Sequence, residues 1–101
     1  MEGHAVISHD VLASYAADAA GEVVGVHGLV DGPRRHHGVR VTEEDGATTV
    51  EVYVSLDWGA LGSGVGAAVQ KRVAEYLRGT AKLPTVTVDV VIAGVAAPAA
   101  G

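Results

Sequence analysis

Residues 49–95 constrain the fold of this 101-residue chain more than any other stretch. Aliphatic side chains alternate with polar ones over residues 49–56 and again over residues 86–92, which is the pattern of strands that bury one face. The stretch therefore predicts a strand–helix–strand unit, with the two strands parallel as neighbours or next neighbours through a right-handed crossover. The helix between them is predicted from aliphatic residues at four-residue steps, namely Leu61, Val65, Val69, Val73 and Leu77.

The first helix is predicted from its cap and its apolar spacing. The side chain of Ser8 or Asp10 can accept a hydrogen bond from the free N–H groups at the start of a helix, and Gly21 is a stop signal. The predicted buried face follows three- and four-residue steps, at Leu12, Tyr15, Ala16, Ala19 and Val23.

The remaining segments complete an α+β architecture. Residues 5–7 are predicted as a short edge strand, and residues 23–30 and 39–41 as further strands. Glu44-Asp45-Gly46 is predicted to form the tight turn of a hairpin. Because each helix is apolar on one side only, we expect a two-layer sandwich in which both helices pack on one face of the sheet. The sheet is mixed, with about four to five strands, and the element order is β-α-β-β-β-α-β.

Length, composition and charge exclude several classes of protein. A chain of this length forms one domain, predicted over residues 1–95, followed by a flexible Ala/Pro tail over residues 96–101. The chain has no cysteine and therefore neither disulfides nor thiolate metal sites. No apolar run approaches the ~18 residues of a membrane span, and no signal peptide is recognisable. A net charge of −5 repels phosphate. We therefore expect a cytoplasmic protein with no direct membrane insertion and no nucleic-acid partner.

A glycine-rich turn provides the alternative function. Residues 62–67 match the spacing G-x-G-x-x-A of dinucleotide-binding turns, with Asp89 further along the chain. Residues 57–61 separate the strand from the first glycine, however, and Asp89 lies within a strand instead of at its end. A single domain also lacks the second half-sheet of such folds. A small-ligand or nucleotide-binding domain is thus the alternative, and the simpler interpretation is that small residues bring the helix close to the sheet.

Histidines and hydroxyls do not predict a metal or catalytic site. His36 and His37 are adjacent in a loop, so their side chains point apart, and no cysteine assists them. Ser8, His9 and Asp10 are contiguous in sequence, whereas a catalytic triad converges in space. We therefore predict no enzymatic activity, no metal and no cofactor.

One face of the predicted sheet stays uncovered, because each helix has only one apolar stripe. Open faces and open strand edges favour pairing, so self-association is predicted through this face or through an exposed edge strand. Trp58 either closes the core, which is favoured, or anchors a partner. The candidate surface residues are Glu51, Tyr53, Ser55, Trp58, Thr85, Thr87 and Val91.

Short segments in a fixed order run through the chain from about residue 5 to residue 95. Ala-Ala-Gly-Glu-Val-Val-Gly-Val over residues 19–26 is the most specific of them. The others are Ile7-Ser8 with Val11, Val39-Arg40-Val41, the alternation over 50–56 with Trp58-Gly59, Val69-Gln70-Lys71-Arg72-Val73, and Val86-Thr87-Val88-Asp89-Val90 before Gly94-Val95. In this pattern the chain resembles the alkaline shock protein family, the envelope stress response proteins of Gram-positive bacteria.

The resemblance implies a function at the membrane without catalytic residues. A relative of this family is expected to be a cytoplasmic protein that forms homo-oligomers and gathers under the membrane through a membrane-anchored protein partner. The chain departs from the family pattern in its Arg34-Arg35-His36-His37 loop and in its short tail, where relatives often carry longer polar extensions.

Overall fold

The computed structural model describes residues 8–83 and 85–98. Their elements follow one another as α1 (His9–Gly21), β1 (Val26–Leu29), β2 (Val39–Glu44), β3 (Ala47–Leu56), α2 (Gly62–Thr80) and β4 (Val86–Val95). The predicted α+β fold and its order from the first helix onward are confirmed. The edge strand predicted over residues 5–7 lies outside the described residues, as do residues 99–101 of the predicted tail.

β3 is the centre of the sheet and pairs with each of the other three strands. It is antiparallel to β1 and β2 and parallel to β4, so the parallel neighbours predicted around α2 are confirmed. β2 pairs with residues 47–52 of β3 and β1 with residues 54–56, one after the other. Between them, the Tyr53 N–H donates to the carbonyl of Gly38 and the Tyr53 carbonyl accepts from the N–H of Val30. β2 and β1 therefore share one edge of β3, and β4 occupies the other.

The β2–β3 connection is the predicted hairpin turn. Asp45 and Gly46 form a two-residue loop in which both φ angles are positive, at 53° and 79°. Turns of this kind match the twist of the strands that they join. The aspartate–glycine pair therefore sets the β2–β3 register, in which Glu44 lies opposite Ala47.

Both helices pack on one face of the sheet, over the even-numbered residues of β3. Ser8 caps the start of α1, and its Oγ accepts from the Val11 N–H at 3.2 Å. Its buried face consists mainly of alanines, which allow a close approach to the sheet and to α2, and the rings of Tyr15 and Tyr76 meet edge to face. The largest fully buried side chains are Leu77, Val39, Val50, Val52, Val54, Val69 and Val73.

Three apolar residues depart from the exposure or the element that their spacing predicts. Leu61 is 79% exposed, because α2 begins only at Gly62. Ile92 is 41% exposed, because the start of α2 presents small residues toward it. Val23 follows the end of α1, and the strand predicted from it starts at Val26 instead, after a turn at Gly25 with φ of 100°.

Candidate interaction surface

The open face of the sheet carries the odd-numbered residues of β3. In the parallel register, Thr87 lies beside Thr49, Asp89 beside Glu51 and Val91 beside Tyr53. Thr85 is exposed just before β4, and Trp58 lies beyond the end of β3. The structure thus brings five of the candidate residues to one face, namely Glu51, Tyr53, Ser55, Thr87 and Val91.

A polar network holds the centre of this face. The Tyr53 hydroxyl donates to Glu51 Oε1 at 3.1 Å, and Arg40 Nη1 lies 3.7 Å from the same oxygen. The guanidinium carbon of Arg35 stands 3.6 Å above the centre of the Tyr53 ring, in a cation–π contact. Arg35 also donates to the carbonyl of Val30 at 3.2 Å. The predicted open face is therefore partly covered at Tyr53, which the sequence did not reveal.

Asp31 organises the loop that brings Arg35 onto Tyr53. Its Oδ1 accepts from the backbone N–H groups of Gly32 at 2.9 Å and Gly38 at 3.2 Å. These hydrogen bonds, first that of Gly32 and then that of Gly38, lower the pKa of Asp31. The loop that contains Arg35 thus supplies part of the open face.

A group of exposed apolar residues lies at the end of the sheet where β3 and β4 finish. Trp58 is 66% exposed, so the favoured expectation that it closes the core is wrong. Leu56, the last residue of β3, pairs with both Val26 and Val95, so Trp58 lies just beyond the end of the sheet. The sequence signal for this exposure was the position of Trp58 and Leu61 on either side of the turn at Gly59, because side chains at a turn have few neighbours to pack against. The exposed members are Val24, Trp58, Leu61 and Val95.

The glycine-rich turn does not assemble a dinucleotide site. Asp89 belongs to the open face of the sheet, whereas α2 packs on the opposite face, so the carboxylate cannot approach the start of α2. A Cβ added to Gly64 or to Gly66 would meet no atom within 4 Å. The expectation that these glycines permit close packing is therefore wrong at both positions.

Gly64→Ala should stabilise the protein by up to ~1 kcal/mol, because alanine has the higher helix propensity and the site is open. Urea unfolding followed by circular dichroism measures this change. The reverse substitution Ala67→Gly, at an exposed position in the same helix, should destabilise by a similar amount. A loss of stability in Gly64→Ala would show that the site is crowded after all.

The polar residues near α1 have structural partners. Ser8 caps the helix, and His9 Nε2 lies 3.8 Å from Glu43 Oε1. Among residues 8–83 and 85–98, no three histidine, aspartate or glutamate side chains come together as a metal site would require.

In the same part of the chain, neither helix combines the length and the hydropathy needed to cross a membrane.

Comparison with known proteins gives a family and a fold. A family model described as the alkaline shock protein 23 family, of cell envelope-related function, matches residues 1–97. The solved structure of MamM-CTD, residues 215–293 of that protein, has a TM-score of 0.54 at 13% identity, covering 84% of this chain and 99% of that one. A variant of MamM CTD in a manganese form has a TM-score of 0.53 at 13% identity and the same coverage. At this identity the likeness concerns the fold alone. No curated protein sequence matches the chain significantly.

Proposed function

Because the chain belongs to the alkaline shock protein 23 family, whose function is related to the cell envelope, we propose that it is a non-enzymatic envelope stress response protein. It acts as a self-associating structural or adaptor module on the cytoplasmic side of the membrane. A membrane-anchored protein holds it there, and it requires no cofactor.

The observation that carries this proposal is the placement of both helices on one face of the sheet. Thr87 and Val91 on the other face are exposed and accessible to a partner, and so is the outer edge of β4. Uncovered sheet faces and edges are surfaces on which proteins associate. Self-association is therefore the activity that this geometry supports best.

The charge of the chain supports attachment through a protein partner instead of through lipid. The net charge of −5 opposes binding to anionic lipid headgroups. On the exposed side of α2, the acidic Glu75 lies between the basic residues Lys71 and Arg78, so the helix presents no purely basic face. Binding to a membrane-anchored protein supplies the attraction that the lipid surface does not.

The purified chain is expected to self-associate at micromolar concentration, because the open face and the β4 edge remain available in the monomer. Sedimentation velocity over a hundredfold range of concentration measures the association. A strict monomer throughout that range would contradict the proposal.

In its native cell, the protein should accompany the membrane fraction only while its membrane-anchored partner is present. Fractionation of cells with and without the candidate partner, followed by immunoblotting, measures the distribution. Retention in the membrane fraction after every candidate is removed would contradict attachment through a protein, because the charge argument would then have failed.

A further inference from the structure

Within residues 8–83 and 85–98, no strand pairs with the outer edge of β4. β4 has ten residues, and its inner edge pairs with β3 from Val86 to Val95 with one register shift, which leaves Ala93 without a partner on β3. The side-chain amide of Gln70 on α2 donates to the carbonyl of Val88 at 2.8 Å, so the backbone of Val88 faces outward. Because backbone groups alternate between the two edges of a strand, Val90 and Ile92 face outward too. Among the described residues, no hydrogen bond joins the outward N–H and C=O groups of Val90 and Ile92 to a loop or a turn.

The opposite edge of the sheet is short, interrupted and charged. β2 has six residues, three of them charged, and β1 has four residues with a bulge in its pairing. The N–H and C=O groups of Val39 are bonded to those of His36, which closes the start of β2. Such features keep a strand edge from pairing with another chain. β4 has only one charged residue, Asp89, and contains neither proline nor lysine.

A groove of about 330 Å³ runs between α2 and the outer edge of β4. The α2 residues that line the groove are small or uncharged, and Val90 and Ile92 line it from β4. The α2 contributions are Gly62, Ser63, Gly66, Ala67 and Gln70. A second strand could therefore lie against β4 beyond Val88 without meeting a charged side chain of the helix, and Gln70 already occupies the Val88 carbonyl.

We propose that two copies of this chain pair antiparallel along the outer edges of their β4 strands, which joins the two sheets into one. This inference rests on the proposed function and identifies the surface of self-association. With the pairing centred on Val91, Val90 of one copy lies opposite Ile92 of the second, and opposite residues of this kind exchange both backbone hydrogen bonds. Each Val91 lies opposite the Val91 of the second copy.

Charge and symmetry identify the occupant as a second copy. In this register Asp89 lies opposite Ala93 of the second copy, so two equally charged residues do not face each other although each chain carries a charge of −5. A strongly acidic or basic partner strand would find no opposite charge in the groove. The same edge also serves both copies, as in the two-fold interfaces of most homodimers.

Val91→Cys tests the pairing directly, because the chain has no cysteine of its own. Opposite residues that do not exchange hydrogen bonds have Cα atoms about 4.5 Å apart, within the range that a disulfide spans. Under mild oxidation we expect Val91→Cys to run as a disulfide-linked dimer on a non-reducing gel. Thr42→Cys is the matched control, because Thr42 lies on the same face at the opposite edge of the sheet, and the variant should form no disulfide-linked dimer on the same gel.

Val90→Pro tests the hydrogen bonds. It removes an N–H that points outward and leaves the bonds to β3 intact, so the dimer dissociation constant should rise at least tenfold in sedimentation equilibrium. Glu43→Pro removes an outward N–H from β2, on the other edge, and should leave the constant unchanged. Circular dichroism checks that each variant folds. If Val90→Pro does not fold, Ile92→Lys, which keeps the backbone N–H, should weaken the dimer because it places a charge opposite the apolar Val90 of the second copy.

The outcomes separate this inference from the proposed function. A wild-type chain that stays monomeric contradicts self-association altogether and overturns both. A wild-type chain that associates while Val91→Cys fails to cross-link, and while the β4 variants associate as tightly as wild type, overturns only the β4 pairing. Cross-linking of Thr42→Cys instead would place the interface at the other edge.

Discussion

Leu77→Ala should lower the free energy of unfolding by about 3 kcal/mol, within the 2–5 kcal/mol typical of leucine truncations in cores. Leu77 is fully buried near the end of α2 and is among the largest buried side chains. Truncation removes its apolar surface from the core and leaves a cavity that close-packed neighbours fill only in part. Urea unfolding followed by far-ultraviolet circular dichroism, at one fixed protein concentration, measures the change.

Leu61→Ala is the matched control, because the same four-residue spacing predicts both leucines on the buried stripe. Leu61 is 79% exposed in the structure, so its truncation should change the free energy of unfolding by no more than about 0.5 kcal/mol. Equal losses in the two variants would show that Leu61 is buried and that the start of α2 lies elsewhere.

Gly25→Ala should lower the free energy of unfolding by roughly 2–5 kcal/mol, the sum of backbone strain and overpacking. The φ angle of Gly25 is 100°, which L side chains rarely adopt, and an added Cβ would lie 2.5 Å from Val65 Cγ2. Val65 is buried and β-branched on a helix, so it has essentially one rotamer and cannot turn aside. The backbone is also anchored, because the Gly25 carbonyl accepts from the Asp57 N–H at 2.8 Å. Chemical denaturation measures the loss.

Two further variants separate strain from crowding at this position. Gly46 has a comparable φ of 79°, but the space around an added Cβ is open. Gly46→Ala should therefore lower the free energy of unfolding by only about 1–2 kcal/mol. In a Val65→Ala background the crowding is relieved, and Gly25→Ala should then cost about as little as Gly46→Ala. An undiminished cost in that background would show that backbone strain alone accounts for the loss.

The regular elements of the core could be predicted because their signals are local. The alternation over residues 49–56 matches β3, and the four-residue steps from Val65 to Leu77 match the buried stripe of α2. Asp45 and Gly46 specify the hairpin through their backbone preferences. The errors fall at element ends, where Leu61 continues the helical spacing but precedes the first turn of α2.

The candidate surface could be predicted only in part. The alternation of apolar and polar residues along β3 and β4 predicts that Glu51, Tyr53 and Val91 lie on one face, and the structure has them there. The contact of Arg35 with the Tyr53 ring joins a loop to a strand 18 positions away, and no local spacing encodes such a pair. The exposure of Trp58 could not be predicted for the same reason. The sequence shows that a large ring lies at a turn, but not whether any other element packs against it.

The sequence by itself determined the order of helices and strands from α1 onward, the buried faces of β3 and of α2, and the family to which the chain belongs. Those properties depend on side chains a few positions apart, whose spacing is visible along the chain. Only the tertiary structure decided that β3 is central, that β2 and β1 share one of its edges, and that β4 keeps an outer edge whose Val88 carbonyl is capped by Gln70. Strand order and edge exposure depend on contacts between distant segments, which many arrangements of the same periodic elements would satisfy equally well.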